Sequence, residues 1–428
     1  MSFPKYPDCR DSGVEWIGAV PSHWALQPLR RHTRLLTEKT DRREHPVALE
    51  NIESWTGRFV PTETEFQGEG VAFDRGDILF GKLRPYLAKA LVAELSGEAV
   101  GDFLVMRPTE AANPRFLAYQ LRSREFISIV DGSTFGSKMP RASWDFVGAM
   151  PSPLPPTKEQ SAIATFLDRE TAKIDVLVDE QKQLIELLKE KRQAVISQAV
   201  TQGLNRSVSL QATDVEWLGK IPAHWSVTRL ANLFREVDER GNDSLPLLSV
   251  SIHDGVSDDE LDESEMERKV TRSDDRSKYK KVLPGDLVYN MMRAWQGGFG
   301  SVTVEGMVSP AYVVARPKTD FPTWFIERLL RTPNAVEEMR GRSRGVTDFR
   351  LRLYWEEFKD IVVGLPPKAE ADAIRVNVEA IEERIERTIE AAEDCIGILN
   401  ERRTALISAA VTGKIDVRRS VGMVTVAA

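Results

Sequence analysis

The sequence predicts an α+β chain: two mixed α/β domains in tandem, joined by two long coiled-coil helices. Three observations carry this prediction. Blocks of sequence recur in the same order, two proline-free helical stretches have equal length, and β-rich runs fill the segments between them.

The duplication comes first. VEWIGAVPSHW, from Val14, matches VEWLGKIPAHW, from Val215, at an offset of 201 residues, aligning Trp16 with Trp217, Pro21 with Pro222, His23 with His224 and Trp24 with Trp225. DRGDILFGKLRPYL around Asp77 matches LPGDLVYNMMRAWQ around Asp286 at an offset of 209, which puts Arg84 on Arg293. SWDFVGAMPSPLPP matches YWEEFKDIVVGLPP at 211, with Trp144 on Trp355. KRQAVISQAVTQG matches ERRTALISAAVTGK, also at 211, with Thr201 on Thr412. Insertions therefore accumulated in the middle segments, while Thr157–Gln202 and 368–413 are held to one length, 46 residues.

Those two segments read as helices of roughly 65–70 Å if unbroken, at 1.5 Å per residue. Ile163, Leu167, Ile174, Leu177, Leu184, Leu188 and Val195 follow the alternating four–three spacing of a coiled-coil seam, and Ile374, Val378, Ile381, Ile385, Leu399 and Leu406 take equivalent places. Charged residues fill the other positions. Equal length and a narrow stripe favour helices that pack on each other over two separate core helices. In the middle segments, GDILFGKL, GDFLVMRP, GDLVYNMM and YVVARP read as turns entering strands, and PRFLAYQLRSREFISIV as short helix. The expected boundaries are 1–153 for the N-terminal segment and first globular domain, 154–203 for the first helix, 204–364 for the second domain and 365–414 for the second helix. Residues 415–428 lack a clear pattern and are expected to be a disordered tail.

Composition excludes several classes. The 428 residues are 42% hydrophobic and 29% charged, with no apolar run long enough for a membrane span and no signal-peptide core at the N-terminus, so a cytoplasmic protein is expected. Cys9 and Cys395 are too few for a disulfide framework, and the five histidines do not cluster at metal-ligand spacings. There is no GxxxxGK[ST] loop, since the GK pairs at Lys82, Lys220 and Lys414 are followed by Leu or Ile, and no GxGxxG opens a helix. The acidic stretch before Glu267 and Lys269 is too polar for a buried nuclease strand and reads as a solvated loop. His23 and His224 read as structural residues that hydrogen-bond locally. Nothing points to a catalytic centre, and no metal ligands are assigned.

What recurs instead is basic and aromatic. Lys82, Arg84 and Tyr86 follow the first GD strand; Arg293, Trp295 and Gln296 follow the second. Lys138 and Arg141 precede the first aromatic helix start, and Arg342, Arg344, Arg350 and Arg352 precede the second. A guanidinium can hold guanine or phosphate with two hydrogen bonds, and aromatic rings add stacking, so these twelve residues are the candidate DNA contacts. The net charge of −7 does not exclude this, because a binding face needs only a local basic stripe.

On EWIGAVPSHW and EWLGKIPAHW, RGDILFGKLRPYL and PGDLVYNMMRAWQGG, LPPTKEQSAIATFLD, ISQAVTQGL and ISAAVTGKI, the chain resembles the DNA specificity subunits of type I restriction–modification systems over nearly its whole length. One departure is the second helix start, LPPKAEADAIRVNVEA, which lacks the EQ and FLD of the first. The resemblance implies two target-recognition domains in a pseudo-twofold arrangement, each reading half of a split, asymmetric site on double-stranded DNA. It implies that the helices pack antiparallel as a spacer, and that the chain is not itself an enzyme. Two adenine-N6 methyltransferase subunits and ATP-dependent motor-nuclease subunits would be its partners, and these would carry S-adenosylmethionine, ATP and Mg. The other readings are a coiled-coil adaptor that binds proteins, and a nuclease or methyltransferase in its own right.

Overall fold

The computed structural model describes residues 3–40, 45–62, 69–136, 138–241, 244–252, 255–258, 276–345 and 351–418. The chain divides into two compact units, Met1–Lys182 with Glu393–Ala428, and Gln183–Ala392. The division runs through both long helices rather than at their ends.

In unit 1, an antiparallel sheet orders its strands Thr33–Leu36, Phe103–Pro108, Ile78–Gly81, Ala90–Val92. Its apolar side chains pack on the helices Pro114–Leu121 and Arg124–Gly132 in a core that includes Ile78, Phe80, Phe116 and Phe126. Asn113 caps the first of these helices by accepting from the amides of Arg115 and Phe116, with Pro114 at the position where a missing N–H costs nothing. A second sheet orders Lys39–Thr40, Gly70–Phe73, Gly97–Val100 and Pro46–Val47.

Unit 2 builds the same first sheet from repeat-equivalent residues: Phe234–Val237, Tyr312–Pro317, Leu287–Asn290, Phe299–Ser301. The helices Thr323–Leu330 and Pro333–Arg342 cover it, around Tyr289, Phe299, Phe325 and Phe358.

The GD turns explain themselves in both units. Asp77 is buried, accepts from the Asp74 amide at 2.7 Å, and takes Arg107 Nε and Nη2 at 2.8 and 2.7 Å. Asp286 accepts from the Leu283 amide at 2.9 Å and takes Arg316 Nε and Nη2, both at 3.0 Å. A buried carboxylate is tolerated because every oxygen finds a donor. These hydrogen bonds in turn push both arginines above their ordinary pKa.

The long helices span Thr157–Gln202 and Lys368–Val411. The second is two residues shorter than the spacing predicts, because Thr412 and Gly413 turn off the axis, Gly413 with φ +75°. Gly203 ends the first helix in the same left-handed conformation, φ +74°. The buried stripe also departs from the strict heptad. Leu177 and Leu184 are exposed, whereas their neighbours Val178 and Ile185 are buried. Ile163, Ile174, Ile185 and Ile196 instead recur every eleven residues, as do Ile374, Ile385, Ile396 and Ile407. All are buried except the half-buried Ile396. Eleven residues in three turns match the natural helical pitch more closely than seven in two.

In each unit the start of one long helix lies with the end of the other, which is antiparallel packing. Ile163 and Leu167 share the core of unit 1 with Ile407 and Val411; Ile374 and Val378 share that of unit 2 with Ile196 and Val200. The P-x-HW segments tie these ends together. A Cβ on Gly413 would meet Pro21 at 2.3 Å, and one on Gly203 would meet Glu370 at 2.9 Å and Trp225 at 3.5 Å. His23 Nε2 pairs with Glu159 at 2.8 Å, and His224 Nε2 with Glu370 at 2.7 Å. The histidines are structural, but their partners are not local: each Glu sits in the first turn of a long helix. Residues 415–417 are also placed, with Val417 buried and the Asp416 amide donating to Pro4.

Among the described residues, no helix is long and apolar enough to cross a membrane.

Candidate nucleic-acid interface

The two basic clusters of unit 1, Lys82 to Tyr86 and Lys138 to Arg141, are distant in sequence yet side by side in the fold. The Arg84 amide donates to the Pro140 carbonyl, and the Ala142 amide to the Lys82 carbonyl, each at 2.9 Å. Leu83 bridges Arg141, and Arg141 in turn bridges Phe135 across a short hairpin. Arg84 adopts φ +50°, unusual for a residue with a side chain, and begins the turn Pro85–Leu87.

Asp102 organises the cations. Arg141 donates Nε and Nη2 to its two carboxylate oxygens at 3.0 Å, and Lys82 Nζ lies 3.7 Å away. These bonds raise the Arg141 pKa. Lys138 and Arg84 have no ion-pair partner among the described residues, and Tyr86 is exposed. All five unit 1 candidates thus fall on one pair of adjoining segments.

Unit 2 repeats the pairing. The Leu353 amide donates to the Met291 carbonyl at 2.9 Å, equivalent to the bond between Ala142 and Lys82. Arg344 and Arg352 exchange two backbone hydrogen bonds, and seven residues separate them in the sequence against the five between Phe135 and Arg141 in unit 1. This is where the repeat offset changes from 209 to 211. The side chains, however, are committed differently. Arg293 Nη1 donates to Gln296 at 2.7 Å, Trp295 lies under the Arg340 guanidinium at 5.7 Å, and Arg342 bonds Glu338 at 2.6 Å on its own helix. Arg344 pairs with Glu357. Arg352 is exposed beside Tyr354, and Arg350 lies outside the described residues, as do His253, Glu267 and Lys269.

Sequence reasoning passed over Asp102, which binds two candidates, and the exposed Phe135 and Met139, which stand among the cations. The signal for the latter was a pair of large apolar residues in the otherwise polar loop TFGSKMPR. Among the described residues, no group of three or more His, Cys, Asp or Glu could hold a metal ion.

No protein-family model matches the chain. Curated relatives are the specificity subunits of the type I restriction enzymes EcoKI, EcoBI and EcoDI of Escherichia coli. The EcoKI subunit, of strain K12, is 22% identical, with 93% of this chain and 90% of that one covered. The EcoBI subunit is 25% identical over 71% of this chain, and the EcoDI subunit 22% identical over 43%. The match spans 66% of the EcoBI subunit and 43% of the EcoDI subunit. These relatives carry the name of specificity subunits, in agreement with the reading of a non-catalytic chain. A chain from a structure concerned with complex assembly and conformational transition of the type I R-M system aligns with a TM-score of 0.62 at 17% identity, covering 92% of this chain and 98% of that one. The HsdS subunit from Thermoanaerobacter tengcongensis aligns at 0.50 and 16% identity, with the same coverage. Together with the repeated motifs, these matches show that the chain resembles the type I restriction–modification specificity subunits along nearly its whole length and shares their fold.

Proposed function

We propose that this chain is the DNA-reading subunit of a type I restriction–modification complex. Each unit reads one half of a split, asymmetric site through the adjoining segments after its GD strand and before its aromatic helix start. The long helices, packed antiparallel in a pseudo-twofold arrangement of tandem domains, set the unread gap. The chain contributes no chemistry. It directs two adenine-N6 methyltransferase subunits, with their S-adenosylmethionine, and motor-nuclease subunits, with their ATP and Mg, to the site.

One observation supports this best. The same backbone pairing, Ala142 to Lys82 and Leu353 to Met291, presents different side chains in the two units. A common scaffold with diverged surfaces suits a reader of two unlike half-sites. A map of modified bases in the host genome, with and without the gene, tests it. Loss of methylated adenine at one asymmetric split motif is the expected result. Survival of every methylated motif would overturn the reading and favour a protein-binding adaptor.

A further inference from the structure

We infer that Phe135 is a specificity-determining residue that packs against a thymine 5-methyl group in the half-site read by unit 1. The inference rests on the DNA-reading function proposed above. Phe135 is 80% exposed, which makes it the most exposed of the large apolar side chains among the described residues. Exposure alone would not distinguish it, since scattered surface apolar groups are ordinary. Its setting does. The residue opens a hairpin whose other strand begins at Arg141, with Lys138 and the half-exposed Met139 in the connection. Lys82 and Arg84 follow on the adjoining segment. An apolar ring rimmed by cations suits a polyanion that presents an apolar feature between its phosphates. In the major groove, which admits a two-stranded ribbon, that feature is the thymine methyl.

The repeat supplies the contrast. The residue equivalent to Phe135 in unit 2, paired across the same hairpin position, is Arg344, and its side chain is engaged by Glu357. One backbone site therefore offers an apolar surface in one unit and a charged, partnered one in the other. That difference makes the two half-sites chemically distinct.

The test uses the purified chain with its co-purifying subunits, and DNA carrying the motif found by the modified-base map. Relaxed base preference of Arg293→Ala within one half of the motif assigns that half to unit 2, so the other half belongs to unit 1. Replacing each thymine of that half by uracil removes only the methyl group. At one position the wild type is expected to lose about three- to five-fold in affinity, the value of burying one such group. Phe135→Ala is expected to bind the thymine and uracil versions equally, and Phe135→Leu to retain part of the difference. A unit 1 half-site without thymine would overturn the inference, as would the same thymine-to-uracil ratio in wild type and Phe135→Ala. So would weaker binding by Phe135→Ala to DNA on which the wild type itself shows no response to uracil, which would mark the ring as a wedge between bases. Because Phe135 is exposed, these variants are expected to fold. A motif that disappears with the gene, yet is indifferent to Phe135, would sink this inference alone and leave the proposed function standing.

Discussion

Glu159 and His23, 136 positions apart in sequence, meet at 2.8 Å, and the pair is rebuilt in the second unit by Glu370 and His224 at 2.7 Å. The surroundings differ. Glu159 is buried and also accepts from Tyr6 Oη at 2.6 Å and Trp24 Nε1 at 3.1 Å. Glu370 is half-buried, and Trp225 Nε1 has no hydrogen-bond partner among the described residues. The helix start next to this pair differs as well. Buried Gln160, which bonds Ala111, Asn113 and Pro155 in unit 1, is replaced by buried Ala371.

This asymmetry predicts unequal costs of truncation. Glu159→Ala strands three donors and is expected to destabilise unit 1 by about 3–5 kcal/mol, whereas Glu370→Ala is expected to cost about 1 kcal/mol. Urea unfolding of the two variants measures the difference. Equal losses would contradict the role given to Tyr6 and Trp24.

His32 predicts a pH dependence. Burial pushes its pKa below the ordinary value of 6.5, so the folded state favours the neutral ring. Below pH 6.5 the unfolded chain takes up a proton that the folded chain does not, and stability falls until the folded-state pKa is passed. Wild type is therefore expected to lose more stability than His32→Leu between pH 7 and pH 5.5. Denaturation midpoints at the two pH values check this, and a pH-independent gap between the proteins would refute it.

Arg293 and Lys318 separate interface from scaffold. Lys318 Nζ donates to the Ala231 carbonyl, away from the paired segments, while Arg293 stands on them. Arg293→Ala is expected to weaken DNA binding by about 1–3 kcal/mol, and Lys318→Ala to leave it within error at matched salt. Indistinguishable affinities would remove the case for the segment after the second GD strand.

The eleven-residue stripe predicts which insertions the long helices accept. Eleven residues added to each, after Ile185 and after Ile385, rotate the stripe by only about 20° and are expected to preserve cooperative unfolding while lengthening the recognised gap by about five base pairs. Two residues added at the same places rotate it by roughly 200° and are expected to abolish the packing. Circular dichroism melts and a modified-base map read the two effects.

The duplication, the two long helices and the turns at Asp77 and Asp286 were legible in the sequence because each is a local or recurrent pattern. Helical periodicity, proline placement and a Gly-Asp pair before an apolar run act through neighbours a few residues away. The tertiary structure alone decided the rest. Leu177 and Val178 are both apolar, and only the partner surface selects Val178 for burial. Lys82 and Arg141 become one surface because a strand hydrogen bond joins them, and Asp102, unremarkable in the sequence, then neutralises part of their charge. Trp295 and Arg342 are candidate contacts by sequence, and only the fold shows that Arg340 lies over the first and Glu338 bonds the second. Periodicity is written along the chain, but which side chains remain available to a ligand depends on contacts between residues far apart in it.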